Sequence, residues 1–173
     1  MNQKLRICLI LCVLALISPL CGRAATTESL YNPKTAQKLD STQVSQFGPQ
    51  AGRFRYDQRM IHAAEIAAAR AKKHSTSRCW HYVKDALVAA HIIPTRPGSE
   101  FAKQAGGDLT KNFGFQQIKE SNPWKAPLGS VIVYGGKGAG HVELRTEQGF
   151  VSDFLSLHPS PRPLIGIYIK PRA

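Results

Sequence analysis

The chain has 173 residues, of which 23 are Lys or Arg and 11 are Asp or Glu, for a formal net charge of +12; hydrophobic residues make up 43%. This balance excludes a disordered polyelectrolyte, and a chain of this length buries its apolar surface in one core without staples or a second domain. The charge attracts polyanions such as cell wall, membrane surfaces or extracellular nucleic acid and selects none of them.

The chain opens with the basic stretch Met1 to Arg6, followed by the apolar run Ile7 to Ile17 and the small residues Gly22, Ala24 and Ala25. This is the layout of a secretory signal peptide, predicted to span 1–24 with cleavage after Ala24. The apolar run is too short to span a bilayer, so no stable membrane insertion is expected after cleavage. Leu20, directly before Cys21, is bulky where a lipid-acceptor site carries a small residue. The expected location is therefore periplasmic or secreted. Cleavage removes Cys8, Cys12 and Cys21 and leaves Cys79 as the one remaining cysteine. A disulfide within the mature chain is then impossible, and an unpaired thiol in an oxidising compartment is expected to be buried, to pair between chains or to be needed as a thiolate.

Residues 25–55 are polar and punctuated by Asn32-Pro33, Gly48-Pro49 and Gly52, and read as an arm or linker ahead of a single domain at 56–173. From Asp57 to about Lys73, apolar residues recur at helical spacing from Met60 to Ala71, with Asp57 able to cap the start and a basic end suited to the helix dipole. Ser75-Thr76-Ser77 offers caps for a second helix over Arg78 to Ala90, with an apolar stripe of Tyr82, Val83, Ala86, Leu87 and Ala90. Pro94 and Pro97-Gly98 end it, and a short helix over Ser99 to Ala105 is expected to stop at Gly106-Gly107. Four strands follow, at 130–134, 141–145, 150–154 and 164–169, with short turns that imply an antiparallel meander. Helices first and strands after them give an α+β domain with helices packed on an antiparallel sheet.

Cys79 falls in the first turn of its helix, where partial positive charge and free N–H groups stabilise a thiolate and can bind the oxyanion of a tetrahedral intermediate. Of six histidines, His141 begins a strand directly after the Gly135 to Gly140 loop, expected to be tight and mobile, where little bulk obstructs a substrate. It is the candidate base and acid for Cys79. The Gly-rich loop lacks the ending of a phosphate loop and joins strand to strand.

Two carboxylates compete to orient His141. With a turn of Thr146-Glu147-Gln148, Arg145 faces Gly149 and His141 faces Asp153; a turn of Glu147-Gln148-Gly149 makes Asp153 the diagonal neighbour instead. Asp153 is favoured, and Glu143, two residues from His141 on the same face, is the alternative. A metal held by His141, these carboxylates and His158 would be a poor zinc set, so no metal or cofactor is expected.

Cys79-Trp80-His81-Tyr82-Val83-Lys84-Asp85-Ala86-Leu87, Ala126 to Tyr134, Gly140-His141-Val142-Glu143 and Val151-Ser152-Asp153-Phe154 together resemble the papain-like NlpC-type and CHAP peptidoglycan hydrolases, over roughly residues 57 to 170. Arg78-Cys79-Trp80 differs from the Asp-Cys-Ser run usual around the NlpC-type nucleophile. The resemblance implies a papain-like α+β fold and cleavage of an amide or peptide bond in peptidoglycan stem peptides, with Cys79 as nucleophile, His141 as base and acid, and Asp153 as orienter. Peptidoglycan or another peptide is the expected partner. The alternatives are another acyl-transfer enzyme (transpeptidase, deamidase or transglutaminase) and a non-catalytic basic wall-binding protein.

Overall fold

The computed structural model describes residues 54–172. The predicted signal peptide and nearly all of the 25–55 arm lie outside the described residues.

The first helix, α1, spans Arg59–Arg70 and buries Met60, Ile61, Ala63, Ala64 and Ala67. Asp57 caps it by accepting the Arg59 amide at 3.0 Å. The second, α2, spans Cys79–Ala89 and packs against α1 and against the sheet. Its inward stripe is Trp80, Val83, Lys84, Ala86 and Leu87, which differs from the predicted stripe at Trp80, Tyr82 and Lys84. Tyr82 is half-buried. Lys84 is buried with its Nζ donating to the Ser99 carbonyl at 2.5 Å and lying 5.0 Å from the centre of the Trp80 ring, so the aliphatic stem packs inward and the ammonium is satisfied.

The predicted short helix at 99–105 is instead a 3-10 turn at Ala102–Gln104 leading into α3, Ala105–Phe113. Gly106 and Gly107 lie inside α3 and do not end it. Gly106 is retained there by packing: a Cβ on it would sit 2.3 Å from the Tyr168 ring. Gly114, at φ +68, is the stop.

Six strands form one antiparallel sheet in the order β1-β6-β2-β3-β4-β5. They are β1 (Gln116–Ile118), β2 (Val131–Tyr134), β3 (His141–Arg145), β4 (Phe150–Val151), β5 (Leu155–Ser156) and β6 (Leu164–Ile169). The α+β architecture is thus observed. The meander holds from β2 to β5, and β6 then crosses back to pair with β2 and β1. Residue pairs Val131↔Leu144 to Tyr134↔His141 set the β2–β3 register. All four β2 residues are buried, which makes this strand the floor on which the helices and the site rest.

The β3–β4 hairpin differs from both predicted registers. Thr146 and Gly149 exchange backbone hydrogen bonds, so the loop is only Glu147-Gln148, and Arg145 pairs with Phe150 and Leu144 with Val151. That one-residue difference moves every following β4 side chain to the opposite face of the sheet. The chain leaves β4 after Val151 and turns through Ser152, whose N–H donates to the Phe154 carbonyl at 2.9 Å.

Candidate active site

Cys79 is the first residue of α2, and its side chain is only partly exposed. Helix geometry leaves the first amides of α2 without partners four residues back. The Arg78 N–H is taken, because it donates to Asp153 Oδ2 at 3.1 Å. The Cys79 N–H is one of the first-turn amides that the helix leaves without a partner four residues back.

None of Ser75, Thr76 and Ser77 caps the helix, contrary to the expectation for this run; Arg78 occupies the N-cap position with no side-chain cap. Asp153 instead fixes the loop that leads into the helix. Its Oδ2 accepts the Thr76 amide at 2.5 Å, the Thr76 hydroxyl at 2.9 Å and the Arg78 amide at 3.1 Å. Ser75 Oγ lies at 3.4 Å, and Ser152 Oγ donates to Oδ1 at 3.1 Å. Ser77 sits at φ +60 between these anchors, a left-handed conformation costing a non-glycine residue on the order of 1 kcal/mol. Asp153 is fully buried. Burial acts to raise its pKa, but the Thr76 and Arg78 hydrogen bonds outweigh that and hold the carboxyl below the usual carboxylate value.

The carboxylate that meets His141 is Glu143. Its Oε2 lies 3.3 Å from His141 Nε2, as the shared strand face allows. Its Oε1 accepts the Tyr134 hydroxyl at 2.5 Å and the Ser160 amide at 3.4 Å. Among the described residues, the hydrogen bonds of Asp153 run to the 75–78 loop and Ser152, with none to His141. The predicted pairing of Asp153 with His141 depended on a three-residue turn; the two-residue turn gives β4 the opposite parity.

The Cys79 thiol lies close enough to the His141 ring to influence its protonation. With Nε2 facing Glu143, Nδ1 is the ring nitrogen left for sulfur. Burial pushes the imidazole pKa down, but hydrogen bonding and charge from Cys79 and Glu143 outweigh it and raise the value to about 9. Tyr134, the cross-strand neighbour of His141, is a buried phenol whose pKa is raised by burial and by the negative Glu143, so it stays a donor. Its ring lies 6.0 Å from the imidazole. Tyr134 and Ser160 were not singled out from sequence. Tyr134 was accessible to strand arithmetic, since the Gly-rich hairpin pairs it with His141; Ser160 reaches Glu143 only through an irregular loop.

That Gly-rich loop is tied on both sides. Lys103 N–H donates to Ala139 O at 2.9 Å and Arg162 Nη1 to Lys137 O at 3.1 Å. Gly140, immediately before His141, has φ +78, and a Cβ there would meet Tyr134 O at 2.5 Å and Lys103 Cβ at 2.7 Å; only glycine fits. The His158 ring meets Trp124 edge-on, with ring centres 5.8 Å apart. Among the described residues, no cluster of three His, Cys, Asp or Glu side chains could hold a metal.

No protein-family model matches the sequence, and no curated protein matches it. Among solved structures, the chain is similar to the type VI native effector-immunity complex Tae3-Tai3 from Ralstonia pickettii, at 25% identity and a TM-score of 0.53, over 65% of this chain and 98% of that one. A selenomethionine structure of the same Ralstonia pickettii complex aligns at 28% identity and a TM-score of 0.48, over 59% of this chain and 89% of that one.

Proposed function

We propose that this chain is an exported peptidoglycan hydrolase of papain-like fold that cleaves an amide or peptide bond in stem peptides, with Cys79 as nucleophile, His141 as base and acid, and Glu143 as orienter. The observation that carries this reading is the closeness of the Cys79 thiol, at the start of a helix, to an imidazole backed by a buried carboxylate. The family resemblance of the Cys79 and Gly140-His141-Val142-Glu143 segments supplies the substrate class, and the likeness to the Tae3-Tai3 effector-immunity complex supports the fold. Export rests on residues 1–24, outside the described residues, and periplasmic or secreted is the location proposed. Among the described residues, no helix is long and apolar enough to cross a membrane. Immunity protein is the partner of the neighbour; for this chain the partner proposed is peptidoglycan itself.

The chemistry follows from the geometry. The Cys79 proton passes to His141 Nδ1, and the thiolate adds to the scissile carbonyl while the Cys79 N–H donates to the developing oxyanion. His141 returns the proton to the leaving amine, and the C–N bond breaks to give an acyl-enzyme. Water, deprotonated by the same imidazole, then releases the acid and regenerates the thiol. Glu143 holds Nε2 throughout, which keeps the ring aimed at sulfur and stabilises the imidazolium. Asp153 acts elsewhere, fixing the 75–78 loop so that α2 begins at Cys79.

Digestion of purified peptidoglycan followed by mass spectrometry tests the proposal. Wild-type protein should create new amine and carboxyl ends within the stem peptides, and Cys79→Ala should create none while keeping its fold. Intact wall fragments after incubation with folded wild-type protein would overturn the reading.

A further inference from the structure

The C-terminal end of α1 and the N-terminal end of α2 enclose a cleft of about 500 Å³ beside the nucleophile's helix end. Arg70, Lys72 and Arg78 line it, with His81, Tyr82 and Asp85 at its far side. The three cations are exposed, and among the described residues their side chains make no hydrogen bond or ion pair. Some other basic side chains of the fold are anchored: Arg59 to Asp57, Arg96 to Asp85 and His81, and Lys84 to Ser99. The Arg96 contacts also matter inside the cleft, because they occupy its one carboxylate, Asp85, at 3.0 Å, and the His81 ring at 2.8 Å. What remains is an uncompensated positive groove that reaches to the residue before Cys79.

Two of the backbone donors ahead of this helix, the Thr76 and Arg78 N–H groups, are given to the buried Asp153, and the positive charge that lines the cleft is carried by side chains. A guanidinium suits a planar carboxylate in a forked, two-bond geometry.

We propose that this cleft is a carboxylate-recognition subsite that holds a free acidic group of the peptide flanking the scissile bond, with Arg78 as its main contact and Lys72 and Arg70 as supporting charges. This inference rests on the hydrolase reading for the position of the peptide, but its test does not require hydrolysis. Cys79→Ala protein is titrated calorimetrically with a stem peptide carrying free side-chain and terminal carboxylates, and with the same peptide amidated at those groups. The acidic peptide should bind about tenfold more tightly, and Arg78→Gln in the Cys79→Ala background should reduce that ratio to near one. Lys72→Gln and Arg70→Gln should each erode it partly and make binding less salt-sensitive. Lys119→Gln, a control on β1's far end, should leave the ratio unchanged. Equal binding of the two peptides, or a preference that survives Arg78→Gln, would overturn the subsite. Digestion of wall by wild-type protein without this preference would remove the subsite and keep the hydrolase; the preference without digestion would do the reverse.

Discussion

Glu143 and Asp153 are both buried, at 3% and 0% exposure, yet they are satisfied by different kinds of donor. Glu143 is met by two side chains, Tyr134 and His141, and by one distant amide. Asp153 is met by the backbone and hydroxyl groups of the loop that leads into α2. A carboxylate bonded to an imidazole sets a proton's position. One bonded to main-chain amides sets the chain's position. In the proposed mechanism the first carboxylate governs protonation of the Cys79–His141 pair and the second governs the geometry of the chain before it, so the two should separate on substitution.

Glu143→Gln should have the larger effect on chemistry, lowering turnover by about 10²- to 10³-fold, because the charge that favours the imidazolium is gone while the shape is kept. Asp153→Asn should act mainly on the fold: Thr76 or Arg78 loses an ionic acceptor, and stability should fall by about 1–3 kcal/mol in chemical denaturation, with a smaller turnover loss than Glu143→Gln. If Asp153→Asn cost more turnover than Glu143→Gln at equal stability, the division of roles would be reversed. Tyr134→Phe should be milder. Removing the hydroxyl that fixes Oε1 should reduce turnover about fivefold and leave the Michaelis constant nearly unchanged.

The pH dependences have opposite signs. His141 is raised from 6.5 to about 9 in the folded protein, so its contribution to stability is complete below about 6.5 and disappears as pH rises through about 9. An ion-pair mechanism should lose turnover over the same alkaline limb. Asp153 is lowered from 3.8, so its contribution is present above that value and is lost as acid protonates the folded carboxylate. Denaturation at several pH values should show Asp153→Asn flattening only the acid side and Glu143→Gln only the alkaline side.

How much of this was legible in the sequence follows the length of each element. The helix bearing Cys79 and the strand beginning at His141 were readable because each carries enough apolar periodicity to fix its face. Glu143 was readable with them, since residues two apart on a strand share a face. Asp153 was misplaced because the β3–β4 turn is one residue shorter than supposed, and β4 is too short to carry a pattern that would correct it. The entry to α2 was misread for a related reason: a local run of Ser and Thr suggested self-capping, whereas the loop ahead of the helix is held by a carboxylate distant in sequence. Strands β1 and β5, three and two residues long, leave no alternation to read. The buried Lys84 could not be foreseen without Ser99 and Trp80 around it.

The most direct test of the account is the alkylation rate of Cys79 by iodoacetamide near neutral pH, compared among wild-type protein, His141→Ala, Glu143→Gln and Asp153→Asn of verified fold. Wild-type Cys79 should react faster than a free thiol, His141→Ala and Glu143→Gln should lose that advantage, and folded Asp153→Asn should keep most of it. Equal rates in wild-type protein, His141→Ala and Glu143→Gln would contradict the assignment of Cys79, His141 and Glu143 as one chemical unit.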